Sequence, residues 1–221
     1  NKAMSKSQKP EVYYIYDALC GWCYGFSKNI EEFYAKHKDE FQFQVFSGGM
    51  VTGEREGTIN EVAGYIKGAY KNVEETTGAK FGEEFISKTL EEGSAYYSSV
   101  PAALAMALFR TQKPEQAISF AVRIQKAIYH EGLAPAELST FGHCVKDFNL
   151  DPQLFQQKME EPMIQKLVEE EFRTVSSWGI KGFPSLVYKD GNRAYMIARG
   201  YTPMDLLEET LQNVQKEIGS N

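Results

Sequence analysis

Apolar positions fall into three successive patterns along the chain. Glu11 to Asp17 is β-branched and aromatic with apolar side chains on both faces, the pattern of a buried central strand. After Cys20, Phe26, Ile30, Phe33 and Tyr34 are spaced to share one helix face. Phe41, Phe43 and Val45 then alternate with Gln42 and Gln44, predicting a half-buried strand that ends at Gly48-Gly49. Such a β-α-β unit pairs its strands in parallel through a right-handed crossover. From Val51 to Gly179 the period is helical. Segments at Thr58–Tyr70, Glu83–Leu90, Pro101–Phe109 and Pro135–Lys146 join a helix carrying Ala117, Ala121, Ile124 and Ile128 and another carrying Met163 to Val175. Pro114 belongs in a first turn, where its missing N–H costs nothing. At the carboxyl end, Ser185–Lys189 and Arg193–Arg199 flank Asp190-Gly191, a hairpin pattern. Thr202-Pro203-Met204-Asp205 then predicts a helix start with Thr202 as N-cap, and Leu206 to Ile218 supply its apolar face.

The order β-α-β, helices, β-β-α predicts an α/β fold: one mixed four-stranded sheet with a large all-helical insertion. The expected parts are residues 1–50, 51–179 and 180–221. Apolar residues at 43% and charged residues at 24% of the 221 positions exclude a disordered chain. A net charge of −6 argues against nucleic acid, which needs a basic face. No stretch approaches the ~20 apolar residues of a membrane span. Residues 1–10 show no apolar leader; with Met4 as the native start a cytoplasmic protein is expected, and a leader removed ahead of Asn1 is the alternative.

Three cysteines are present, and Cys20-Gly21-Trp22-Cys23 joins two of them. Cys20 falls at a strand-to-helix junction, where unpaired N–H groups and the helix dipole favour a thiolate. Thiols so placed have pKa values of about 3.5–7.5, against about 8.5 unperturbed. Cys23 lies one turn later on the same face. The spacing predicts that Cys20 attacks a substrate disulfide and Cys23 then displaces the substrate. Trp22 offers a flat apolar surface for a peptide or tripeptide thiol. Half a zinc site is the competing reading, but His37, His130, His143 and Cys144 are the remaining candidates, and adjacent His143 and Cys144 diverge by about 100° on a helix. No metal is expected. Before the hairpin, Gly182-Phe183-Pro184-Ser185 places a proline at a strand start, where it cannot donate to the ladder. A cis Phe183–Pro184 bond there leaves the Phe183 backbone free to pair with an extended substrate.

Asp17 to Phe26 and Gly182 to Ser185 resemble two segments of the thioredoxin superfamily, in its DsbA-like branch. The resemblance is to FrnE-like dithiol oxidoreductases and protein-disulfide isomerases, with kappa glutathione transferases and 2-hydroxychromene-2-carboxylate isomerase as relatives. It implies a thioredoxin-like core, Cys20 as nucleophile, Cys23 as resolving thiol and Pro184 as the cis proline facing them. Gly21 and Phe183 depart from that branch's Pro and smaller residue, and both positions tune the dithiol. Asp17 has two readings, a modifier of the thiol pKa and a cap of the loop. Lys28 and Lys181 are candidate cations near the thiol, or simply solvated; Cys144 reads as a buried apolar residue. The expected activity is a thiol–disulfide oxidoreductase, including disulfide isomerase, on protein or small-molecule disulfides. It needs no cofactor, with glutathione open as a co-substrate. The alternatives are a glutathione-dependent isomerase or transferase and a zinc-binding or non-catalytic interaction module.

Overall fold

Glu11–Tyr16 (β1) is hydrogen-bonded on both edges, in parallel to Gln42–Ser47 (β2) and antiparallel to Ser185–Asp190 (β5). Arg193–Arg199 (β6) completes a mixed sheet of order β2-β1-β5-β6. This computed structural model describes residues 9–220; the reading of Met4 and most of the amino-terminal segment lies outside them. Central placement explains why β1 carries so little polarity: Val12, Tyr14, Ile15 and Tyr16 are all buried. The hairpin forms with Gly191 at the first loop position, at the positive φ of 60° that such turns favour.

Gly21–Gly25 (α1) and Ser27–His37 (α2) follow β1, and Met204–Gly219 (α10) follows β6. The buried His37 Nε2 of α2 meets Glu208 of α10 at 2.9 Å, and Asn29 of α2 donates to Thr202 O, in the loop just before α10, at 3.0 Å. Between β2 and β5 run Ile59–Ala63 (α3), Ile66–Thr77 (α4), Val100–Gln112 (α5), Ala117–Tyr129 (α6), Leu138–Val145 (α7), Pro152–Met159 (α8) and Pro162–Ser177 (α9). Their shared interior includes Phe109 and Phe120, stacked with centroids 4.0 Å apart. An ion pair ties this block to the sheet. Arg110 of α5 donates to Val45 O and to Glu171 of α9, whose other oxygen accepts from Ser47 N at 2.9 Å. The exposed edge of β2 is thereby covered, as edge strands require.

Several local expectations are corrected. The block is not wholly helical: Gly57–Thr58 (β3) and Tyr96–Tyr97 (β4) form a two-residue antiparallel ladder, too short to show a period. The helix expected over Thr58–Tyr70 breaks around Gly64, a poor helix former, into α3 and α4. Phe85–Leu90 is a π-helical turn, which brings Phe85, Thr89 and Leu90 together inside. Pro114 opens a 3-10 turn, Pro114–Gln116, just ahead of α6. Thr202 does not cap α10; its hydroxyl donates back to Gly200 O at 3.0 Å, and Pro203 holds the N-cap position. Among the described residues, no helix is long and apolar enough to cross a membrane.

Candidate active site

The end of β1 turns sharply into α1. Asp17 closes this turn: its Oδ1 accepts from Leu19 N at 3.0 Å, and its carbonyl accepts from Cys20 N at 3.0 Å. Cys20 is the N-cap of α1, with extended backbone (φ −85°, ψ 114°), and its carbonyl accepts from Cys23 N and Tyr24 N. Asp17 is itself buried and fully engaged, with Ser99 Oγ donating at 2.9 Å and Met50 N at 2.8 Å. Burial raises its carboxyl above the ordinary value against the pull of these donors. The capping geometry that the sequence suggested for Asp17 is thus present.

Cys20 and Cys23 are free thiols. Cys23 is wholly buried, whereas Cys20, 7% exposed, lines a cavity of about 250 Å³. The Cys23 thiol hydrogen-bonds to the Cys20 sulfur and, with the N–H groups of Cys23 and Trp22, draws the Cys20 thiol below its ordinary value. Burial pushes Cys23 well up, and its bond to Cys20 and the charge on that sulfur add to the shift. One sulfur is therefore the better thiolate and faces an opening, while the other keeps its proton behind it.

Residues from three regions surround the cavity. Phe183 faces Cys20 across it: the Cys20 thiol donates to Phe183 O at 3.5 Å, and the Phe183–Pro184 peptide is cis. The Phe183 ring rests on Gly48, where an added Cβ would fall 2.2 Å from a ring carbon. Helix α4 forms the far wall with Ile66, Ala69 and Tyr70. It approaches closely because Gly25 of α1 leaves room for Thr77, only 2.6 Å from where a Cβ would stand. Gly21 also lines the cavity, with Phe81 at van der Waals distance from its missing Cβ. Trp22 is half-buried against Tyr201, ring centroids 6.4 Å apart, with part of its surface on the cavity.

Lys181 stands on the cavity rim. Lys28 does not join it; it is exposed and lies 3.9 Å from Glu32. His130 and His143 are surface residues. Cys144 is buried in α7, where desolvation pushes its thiol up to about 12. Among the described residues no group of three or more His, Cys, Asp or Glu is placed to hold a metal ion.

The sequence reading missed Gln125, Tyr129 and Ser99. Gln125 of α6 is 1% exposed, and its Nε2 lies 3.2, 3.2 and 3.0 Å from the carbonyls of Asp17, Ala18 and Cys20. Tyr129, one turn on and fully buried, donates to Leu19 O. A glutamine four residues after Ala121, on the edge of an apolar stripe, was the available clue.

A DSBA-like thioredoxin domain model matches residues 11–212, and the chain belongs to that family. Among solved structures, it is similar to a "putative protein disulfide isomerase" from Nitrosomonas europaea, with 28% identity and a TM-score of 0.83 over 95% of this chain and 98% of that one. It also resembles the cytosolic disulfide reductase DsbM from Pseudomonas aeruginosa, with 22% identity and a TM-score of 0.77 over 93% of this chain and 98% of that one. A glutathione-bound structure of DsbM aligns with a TM-score of 0.72 at 22% identity, over 93% and 99% of the two chains. No curated protein matches the chain.

Proposed function

We propose that this protein is a thiol–disulfide oxidoreductase that works through Cys20 and Cys23. The observation that carries the reading is the asymmetry of the pair: the lowered thiol faces the cavity, and the raised one is buried behind it. The Cys20 thiolate attacks one sulfur of a substrate disulfide, forming a mixed disulfide and expelling the other substrate sulfur as a thiolate. Cys23 gives up its proton and attacks Cys20. This closes the Cys20–Cys23 disulfide, releases the second substrate thiolate, and leaves substrate reduced and enzyme oxidised. The reverse sequence oxidises a dithiol, and isomerisation combines the two. Asp17, with its raised carboxyl near both sulfurs, is suited to exchange a proton with Cys23. Once Cys20 is a thiolate it no longer donates to Phe183 O, which is then open to an N–H of an extended substrate. Pro184, Gly21 and Trp22 shape the same mouth.

Glutathione suits the cavity as a co-substrate, because Lys181 offers a cation for a carboxylate beside apolar walls. The glutathione-bound DsbM structure supports this, and the cytosolic description of DsbM supports a cytoplasmic setting here. A glutathione-dependent isomerase or transferase is the second reading. The purified protein should catalyse dithiothreitol-driven reduction of insulin, and Cys20→Ser should lower the rate to background. Full activity in Cys20→Ser would remove the nucleophile. Activity that survives Cys23→Ser and demands glutathione would favour the second reading.

A further inference from the structure

We propose that Gln125 and Tyr129, from the inserted helix α6, are positioning residues for Cys20: they hold the carbonyls of residues 17–20 turned into the helix and keep their negative ends off the attacking sulfur. The inference rests on Cys20 being the nucleophile and adds what makes it one.

The strand-to-helix turn brings four successive carbonyls towards α6. Asp17 O and Cys20 O are already bound by N–H groups of the turn itself. Ala18 O and Leu19 O, among the described residues, accept only from Gln125 and Tyr129 respectively. A buried carbonyl without a donor is costly, so without α6 these two would rotate or admit water. Three acceptors surround the Gln125 nitrogen, so the amide must present its NH2 and not its oxygen. With two hydrogens for three carbonyls, it is held at their centre. The four-residue spacing puts Tyr129 on the same helix face. Its ring is wedged between Phe85, Phe81 and Tyr24, at centroid distances of 5.0, 5.4 and 5.5 Å, so the hydroxyl has little freedom.

An unquenched carbonyl dipole swinging near Cys20 opposes a negative sulfur, and a quenched one facing away does not. Gln125 lies 105 residues from Cys20 along the chain, and Tyr129 110 residues from Leu19. The insertion thus governs the reactivity of a thiol in the sheet-bearing part of the fold.

Gln125→Met and Tyr129→Phe remove the donors and keep the bulk. In the reduced full-length protein, the pH midpoint of ultraviolet thiolate absorbance should rise by about one pH unit in each variant. The equilibrium with glutathione should move towards the Cys20–Cys23 disulfide, by up to about tenfold, because the reduced thiolate loses its support. Ile124→Val, which loosens the same helix without touching a carbonyl, should leave the midpoint in place. The proposal is overturned by unmoved midpoints in folded Gln125→Met and Tyr129→Phe, and equally by an Ile124→Val shift as large as theirs. A wild-type midpoint at the ordinary thiol value would instead remove the activated nucleophile, and with it the proposed function.

Discussion

Cys20 and Cys144 are both buried, at 7% and 0% exposure, and their surroundings give them opposite chemistry. Cys20 stands at the start of a helix, where the Cys23 thiol and the nearby N–H groups of Cys23 and Trp22 draw its thiol below the ordinary value. Cys144 stands one residue before the end of α7, its sulfur 3.9 Å from Arg123 O and its thiol pushed up to about 12. Both sulfurs are desolvated and each meets a carbonyl, Phe183 O for Cys20 and Arg123 O for Cys144. Only at Cys20 do the Cys23 thiol and the N–H groups of the helix start outweigh this. Burial alone therefore does not decide whether a thiol is inert. The end of the helix it occupies and the space in front of it do.

The comparison can be sharpened by separating attack from release. Cys23→Ser should lose multiple turnover almost completely, by about 10³-fold or more, and accumulate mixed disulfides through Cys20 that mass spectrometry detects. Failure to trap any partner would deny Cys23 its resolving role. Filling the space in front of Cys20 tests the cavity. Ala69→Trp should lower kcat/KM on a disulfide substrate by about tenfold, equivalent to about 1.4 kcal/mol, with the Cys20 pH midpoint unmoved. Unchanged kinetics would mean that substrate does not enter beside α4. The smallest effect belongs to Cys144→Ala. It should leave turnover within about twofold of wild type and cost about 1–2 kcal/mol of stability, read as a drop of a few degrees in Tm. Loss of turnover there would bring Cys144 into the chemistry.

How far the chain could be read also differs between the two regions. The four-stranded sheet, α2 and α10 follow from local periodicity, because each buries one continuous face or a whole strand. The dithiol follows from Cys20 and Cys23 lying at the strand-to-helix junction. The insertion was harder to resolve. β3 and β4 are two residues each, α3 and α4 part around Gly64, and the π-helical turn has no period that sequence patterning recognises. Thr202 looked like an N-cap because hydroxyl capping is a local habit, yet its hydroxyl found Gly200 O instead. Gln125 and Tyr129 escaped notice for a different reason. Their partners are backbone carbonyls, which carry no residue identity, so nothing in the text of residues 17–20 asks for them.

The most direct test is mass-resolved alkylation of the reduced, folded protein across pH. A lowered thiol is already ionised below its ordinary value, so its reaction rate rises early as pH increases. Raised thiols stay protonated and unreactive through the same range. Cys20 alone should therefore be modified, with a midpoint below that of an ordinary cysteine, while Cys23 and Cys144 react only after unfolding. Modification of Cys144 or Cys23 at the rate of Cys20, or a Cys20 midpoint at or above the ordinary value, would contradict the account.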